Sequence, residues 1–206
     1  MTIALVPDFR SGVDGGEAVA PDRVKHAYRS RIVGVDLSLA STGVASYGHC
    51  ERIKNKPLPK DATIEQREHR LESIALDVLK FVGLAELVVI EGPAYGSNDP
   101  GAHERAGLYW RVVGKVVERG VAIAVVAPST LKVYATGKGN AGKDVVMLAV
   151  AKRYPDAGID GNDTADAYTL AAMGYHHCGH EIAQVPATHS RALAAVKWPT
   201  SLELNR

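Results

Sequence analysis

The sequence predicts an α/β domain in which a mixed β-sheet, its first three strands antiparallel, is covered by helices. Three observations carry that expectation. Short segments rich in β-branched residues follow one another between residues 31 and 59, separated only by small or polar turn residues. Two later apolar runs, Leu87-Val-Val-Ile90 and Val121 to Val126, lack polar alternation, as strands buried on both faces do. Between and after them, apolar residues recur at helical spacing.

Residues 1–29 contain Pro7 and Pro21 with little periodicity and are expected to form a loosely ordered arm. RIVGVDLS (31–38), STGVASYG (41–48) and CERIKNKPLP (50–59) then read as a three-stranded meander. ATIEQREHRLESIALDVLKFVG places Ile64, Leu71, Ile74, Ala75, Val78 and Leu79 on one helical face and ends at Gly83. LVVIEG (87–92) is a buried strand, GAHERAGLYWRVVGKVVERG a helix stopping at Gly120, and VAIAVVAP (121–128) another buried strand. A short helix, a glycine-rich loop, KDVVMLAVAKRY (143–154) and NDTADAYTLAAMGYHH (162–177) complete the ordered part. One domain over 30–180 is therefore expected, followed by a Pro-containing tail over 181–206.

The bulk numbers narrow the class without naming a partner. A chain of 206 residues that is 46% hydrophobic can bury one substantial core. The formal net charge of +1 means that an electrostatic binding surface must come from local clustering. Two cysteines, Cys50 and Cys178, are too few for a disulfide framework and suit a reducing compartment. The first residues lack a signal-peptide pattern, and no apolar run approaches the ~18 residues a membrane span needs. A cytoplasmic protein without a membrane partner is expected.

Four carboxylates stand at the ends of these elements. Asp36 closes the first strand, Glu91 closes the fourth, and Asp163 and Asp166 head the last helix. Each has an ordinary explanation taken singly. Asp36 can open a turn, Asp163 or Asp166 can cap a helix, and Glu91 can pair with Arg105 or Arg111. Together they suggest more, because a carboxylate at the end of a buried strand is costly unless a cation meets it. Strand ends converge at one edge of a sheet, and residues three apart on a helix share a face. Oxygen-only ligands suit Mg²⁺ or Mn²⁺, and two such ions about 3.5–4 Å apart can drive phosphodiester hydrolysis.

IVGVDLSLASTGVA, VVIEGP, PSTLKVYATGKGNAGK and NDTADAYTLAA occur in that order. With them, roughly residues 31–178 resemble the RuvC-like Holliday junction resolvases of the RNase H-like superfamily, most of all the versions carried by bacteriophages. The resemblance implies a five-stranded RNase H-like sheet with helices on its faces. It implies a crossover junction endodeoxyribonuclease that cuts four-way or other branched DNA and leaves 5′-phosphate ends. Asp36 would bridge two metal ions, Glu91 would hold one, and Asp163 and Asp166 would complete the site. The cofactor implied is Mg²⁺ or Mn²⁺, two ions per active site, with no small-molecule cofactor. A homodimer is implied as well, since symmetric cutting of a four-way junction needs two active sites.

Gly137-Lys138-Gly-Asn-Ala-Gly142-Lys143 has the spacing of a phosphate-binding P-loop. It is followed by Asp144, where that motif needs Ser or Thr, and it does not leave a strand directly. An ATP-binding P-loop or actin-like protein is thus the less favoured alternative, and a flexible glycine loop with solvated lysines another. A loop that grips a nucleic-acid backbone fits better. Lys132, Lys138 and Lys143, with Arg105, Arg111, Lys115 and Arg119, make a basic segment in a nearly neutral chain. Arg111, Lys115 and Arg119 can equally form a solvated helix face. In the resembling family the lysines matching Lys132 and Lys143 approach the scissile backbone, and Lys143 would stabilise charge on the phosphate.

In the cellular resolvases an aromatic residue lies three positions after the strand glutamate. Here that position is Ala94, and Tyr95 follows it. Tyr95 is the candidate for stacking on a base. The shift leaves a relaxed RNase H-like nuclease, acting on flaps, forks or RNA–DNA hybrids, as an alternative. Tyr109 and Trp110 read as helix core or dimer contacts. His176, His177, Cys178 and His180 fit no standard zinc spacing and read as structural.

Overall fold

A computed structural model describes residues 31–93 and 101–200. The N-terminal arm and the stacking candidate Tyr95 lie outside the described residues. The elements run β1 (Ile32–Asp36), β2 (Ser41–Ser46), β3 (His49–Lys54), α1 (Ile64–Val82), β4 (Leu87–Glu91), α2 (Ala102–Glu118) and β5 (Ala122–Val126). They continue with α3 (Pro128–Thr136), α4 (Lys143–Arg153), a 3₁₀ turn (Pro155–Ala157), α5 (Asn162–His177), α6 (Ala187–Ser190) and a second 3₁₀ turn (Arg191–Ala195). No helix among the described residues is long and apolar enough to cross a membrane.

The sheet order is β3-β2-β1-β4-β5. β1 pairs antiparallel with β2, and β2 with β3, while β4 lies parallel to both β1 and β5. The meander and the two buried strands are therefore where the sequence puts them. Side chains alternate between two cores, as the pleat requires. Ile32, Leu87, Val89, Ala124 and Val126 point to the face covered by α3, α4 and α5. Val33, Val35, Val44, Val88 and Ile90 point to the face covered by α1 and α2.

Local chemistry sets the helix ends. Thr63 caps α1: its hydroxyl accepts from the Gln66 N–H at 3.3 Å, and the Gln66 side chain accepts from the Thr63 N–H at 2.9 Å. The buried stripe of α1 is Ile74, Ala75, Val78, Leu79 and Val82. Ile64, expected on that stripe, is instead 73% exposed, and burial on α1 begins only at Ile74. α3 begins with Pro128 and stops at Gly137, whose φ of 80° is the left-handed conformation that glycine adopts without strain. Arg153 on α4 donates to the carbonyls of Tyr134 (3.2 Å) and Ala135 (2.9 Å), tying the end of α3 to α4.

α5 is the central helix. From Ala167 to Tyr175 every residue is buried, and it lies across β1, β2 and β4. Glycines on the strands let it approach. A Cβ at Gly34 would fall 2.0 Å from the carbonyl oxygen of Ala167, and one at Gly43 would fall 2.0 Å from that of Asp163. Only hydrogen fits at either position.

Residues read from the sequence as tail pack on the core. Val185, Ala192 and Val196 are buried. Trp198 stacks on His177 at 4.2 Å between ring centroids, and Lys197 bridges to Val125 on the edge strand β5. An apolar surface above α3 and α5 is what this segment covers, and that surface exists only once the helices have docked.

Candidate active site at the carboxyl edge of the sheet

β1 and β4 are parallel neighbours with Val35 opposite Ile90, so the next residues, Asp36 and Glu91, end their strands side by side. Alternation sends both carboxylates to the α5 face, since Ile32 and Leu87 already point there. On the other flank, Gly43 of β2 lies opposite Asp36. The absent side chain of Gly43 is what lets the first turn of α5 settle beside Asp36, bringing Asp163 and Asp166 to the same edge.

Neither aspartate of α5 serves as its cap, although the sequence allowed that. Gly161 is the N-cap, and the Thr164 hydroxyl accepts from the N–H groups of Asp160 and Gly161, both at 3.2 Å. Asp160 in turn pairs with Arg52 at 2.6 Å. Asp163 and Asp166 are thereby released to the cleft. Asp163 accepts a hydrogen bond from the Ser41 hydroxyl at 2.5 Å. Ser41 was not singled out in the sequence, because the contact spans 122 positions and a lone serine at a strand start carries no signal.

The electrostatics are those of crowded acids. Burial, then Glu91, then Asp166 and Asp163, hold the Asp36 carboxyl well above its ordinary value. Its protonated form donates a hydrogen bond to Glu91. Burial, followed by Glu91, pushes Asp166 up to about 7, and Lys143 and Lys132 oppose that rise. Both lysines therefore face the acids. A cleft of about 360 Å³ opens here, with Asp36, Glu91 and Asp163 on its acidic wall and Arg105, Lys143 and Tyr109 among its other lining residues.

Among the described residues, no group of three or more His, Cys, Asp or Glu side chains forms a ready-made metal cage. Asp36 lies within hydrogen-bond reach of Glu91, and Asp163 is held by Ser41. The donor chemistry fits a hard divalent cation nonetheless. Every candidate ligand is a carboxylate oxygen, and burial followed by the neighbouring acids raises Asp36 and Asp166, with Lys132 and Lys143 opposing the rise at Asp166.

The expected basic residues divide between two places. Lys143 is the first residue of α4 and Lys132 lies on α3, both beside Asp166. Lys138 is exposed in the loop between those helices, its N–H donating to the Thr136 hydroxyl at 3.2 Å. Arg111 is not at the cleft: it binds Glu68 at 2.6 Å and Glu72 at 2.8 Å on α1. Lys115 joins Glu72 at 2.9 Å, and Arg119 donates to the Leu79 carbonyl. Assigning Arg111 to a DNA surface is corrected on that ground, because two acids of the neighbouring helix already neutralise it. The P-loop alternative fails as well, since Gly137–Gly142 joins two helices and follows no strand. Tyr109 is buried at the cleft, whereas its neighbour Trp110 is 67% exposed. His176 lies 3.1 Å from the Tyr134 hydroxyl, and with His177 on Trp198 both rings have structural contacts.

No family model matches the chain. A crossover junction endodeoxyribonuclease RuvC from Acidiphilium cryptum is 29% identical over 167 residues, spanning 77% of this chain and 98% of the relative. The structure of RuvC from Thermus thermophilus superposes with a TM-score of 0.57 at 20% identity, over 76% of this chain and 99% of that one. The same RuvC in complex with a Holliday junction substrate gives a TM-score of 0.57 at 19% identity, over 77% of this chain and 100% of that one. With its three antiparallel and two parallel strands, the chain thus carries the RuvC-like form of the RNase H fold and is similar to RuvC in sequence over most of its length.

Proposed function

We propose that the chain is a structure-selective DNA endonuclease that resolves four-way junctions by divalent-metal-dependent hydrolysis of phosphodiester bonds. One observation carries the reading. Asp36, Glu91, Asp163 and Asp166, drawn from three separate elements, crowd one sheet edge against Lys132 and Lys143. The RuvC relative and the junction-bound neighbour supply the substrate class.

Asp36, Glu91, Asp163 and Asp166 would hold the metal, two Mg²⁺ or Mn²⁺ ions in the full reading. When bound, such ions supply Lewis-acid stabilisation of the attacking and leaving oxygens. The chain's own residues do the rest. Lys143 and Lys132 place positive charge where a scissile phosphate would enter, and Arg105 extends that charge across the cleft. Lys138 would contact the backbone farther along the duplex. Cutting both strands of a four-way junction requires a second active site, so a homodimer belongs to the proposal, as does a bacteriophage-type origin.

The test is Asp36→Asn on a labelled four-way junction with Mg²⁺. Cutting should fall more than about 100-fold, beyond the 10–100-fold typical of losing a group that only supports a ligand. Junction binding should be largely retained. Undiminished cutting overturns the site, and equal cutting of flaps, forks and junctions at matched salt points to a relaxed nuclease.

A further inference from the structure

We infer that Ser41 is a positioning residue for the metal site: its hydroxyl orients the Asp163 carboxylate for a divalent cation. The inference rests on the nuclease reading of the cleft. Ser41 is the first residue of β2 and lies two positions before Gly43, the residue opposite Asp36. Alternation puts it on the α5 face with Gly43, directly above the head of α5. From there its Oγ donates to Asp163 Oδ2 at 2.5 Å.

The donor sits on a rigid base. Ser41 pairs with Lys54 across the β2–β3 ladder, and its N–H donates to the Ser38 hydroxyl at 3.4 Å. Thr42 closes the same turn: its hydroxyl donates to the Ser38 carbonyl at 2.8 Å and accepts from the Ser38 N–H at 3.0 Å. Thr42 is wholly buried, which holds the turn in place. Among the described residues, no group of its own helix hydrogen-bonds the Asp163 carboxylate. Crowded by Asp36 and Asp166, an unrestrained Asp163 carboxylate would rotate away from them. A neutral hydroxyl fixes one of its oxygens without adding charge, and leaves the other to face the cleft. Outer partners of this kind keep a ligand in its binding geometry.

The experiment titrates Mn²⁺ alone into the metal-stripped full chain by calorimetry, alongside junction cleavage as a function of Mg²⁺. Ser41→Ala and Ser41→Val should weaken Mn²⁺ binding about 10–100-fold and raise the Mg²⁺ needed for half-maximal cutting by a similar factor. Ser41→Thr, which has the shape of Val but retains the hydroxyl, should bind Mn²⁺ within a few-fold of the parent. The Thr and Val variants are matched in bulk, so their difference reads the hydroxyl even where Ser41→Ala folds poorly. Equal Mn²⁺ affinity in Thr and Val variants overturns the Ser41 assignment while leaving the nuclease reading intact. A parent chain that neither binds Mn²⁺ nor cuts junctions overturns both.

Discussion

Asp36 and Glu91 end adjacent parallel strands in matching register, and Asp36 in its protonated form donates a hydrogen bond to Glu91. Burial and the nearby charges of Glu91, Asp166 and Asp163 favour the protonated form of Asp36. Keeping Asp36 protonated at neutral pH strains the pair, and a bound cation or a neutral side chain at position 36 relieves that strain.

Asp36→Asn should accordingly raise the melting temperature of metal-stripped protein while it abolishes cutting. The amide keeps the shape and can still donate to Glu91, and unlike Asp36 it needs no proton taken up from solvent on folding. Opposite effects of one substitution on Tm in EDTA and on junction cleavage are the expected signature. A lowered Tm in EDTA contradicts the account of strain.

The same crowding makes metal-free stability depend on pH. In the folded state Asp166 is raised to about 7, against about 4 in the unfolded chain. A raised folded value means that its contribution is fully present below about pH 4 and is lost as pH rises through about 7. Glu72 and Asp160 are lowered by their cationic partners and act in the opposite sense, so the reading must be differential. Relative to Asp166→Asn, the parent in EDTA should lose Tm between about pH 4 and pH 8. Added Mg²⁺ should recover more Tm at the upper end of that range. A difference that stays constant with pH removes the basis for this prediction.

Gly43→Ala should cost about 3 kcal/mol or more, at the upper end for an overpacked site, because the new methyl meets the backbone oxygen of Asp163 at 2.0 Å. Since the displaced atom belongs to a candidate ligand, cleavage should fall further than stability alone accounts for. Urea unfolding together with cleavage below the melting range measures both. An Ala variant of native stability means that α5 does not rest on β2 as described.

Lys143 and Arg111 lie on opposite sides of a boundary that composition cannot draw. Lys143→Ala should weaken junction binding and reduce the slope of log affinity against log salt by about one contact. Arg111→Ala should leave both unchanged and cost at most about 1 kcal/mol of stability, since its pairs with Glu68 and Glu72 lie near the surface. Binding isotherms at three salt concentrations separate the two. An Arg111→Ala variant with a reduced salt slope restores that residue to the DNA surface.

Much of this protein was legible along the chain. Runs such as Leu87-Val-Val-Ile90 identify strands covered on both faces, and the glycines after α1 and α3 mark where those helices stop. These are properties of near neighbours, which periodicity and turn chemistry report directly. The four acids at element ends were legible too, as residue types out of place for a buried edge.

What the chain alone did not determine is which of its charges meet. The register of β1 against β4 sends Asp36 and Glu91 to one face, and a shift of one residue would have sent one of them to the other. Gly161, not an aspartate, is the N-cap of α5; Arg111 turns to α1, while Lys143 turns to the cleft; Ser41 reaches Asp163 across 122 positions. Residues 185–198 cover a surface that forms only when α3 and α5 are in place. Each of these outcomes depends on how whole elements dock, here through Gly34 and Gly43, and close packing at those points is decided by atoms far apart in the chain.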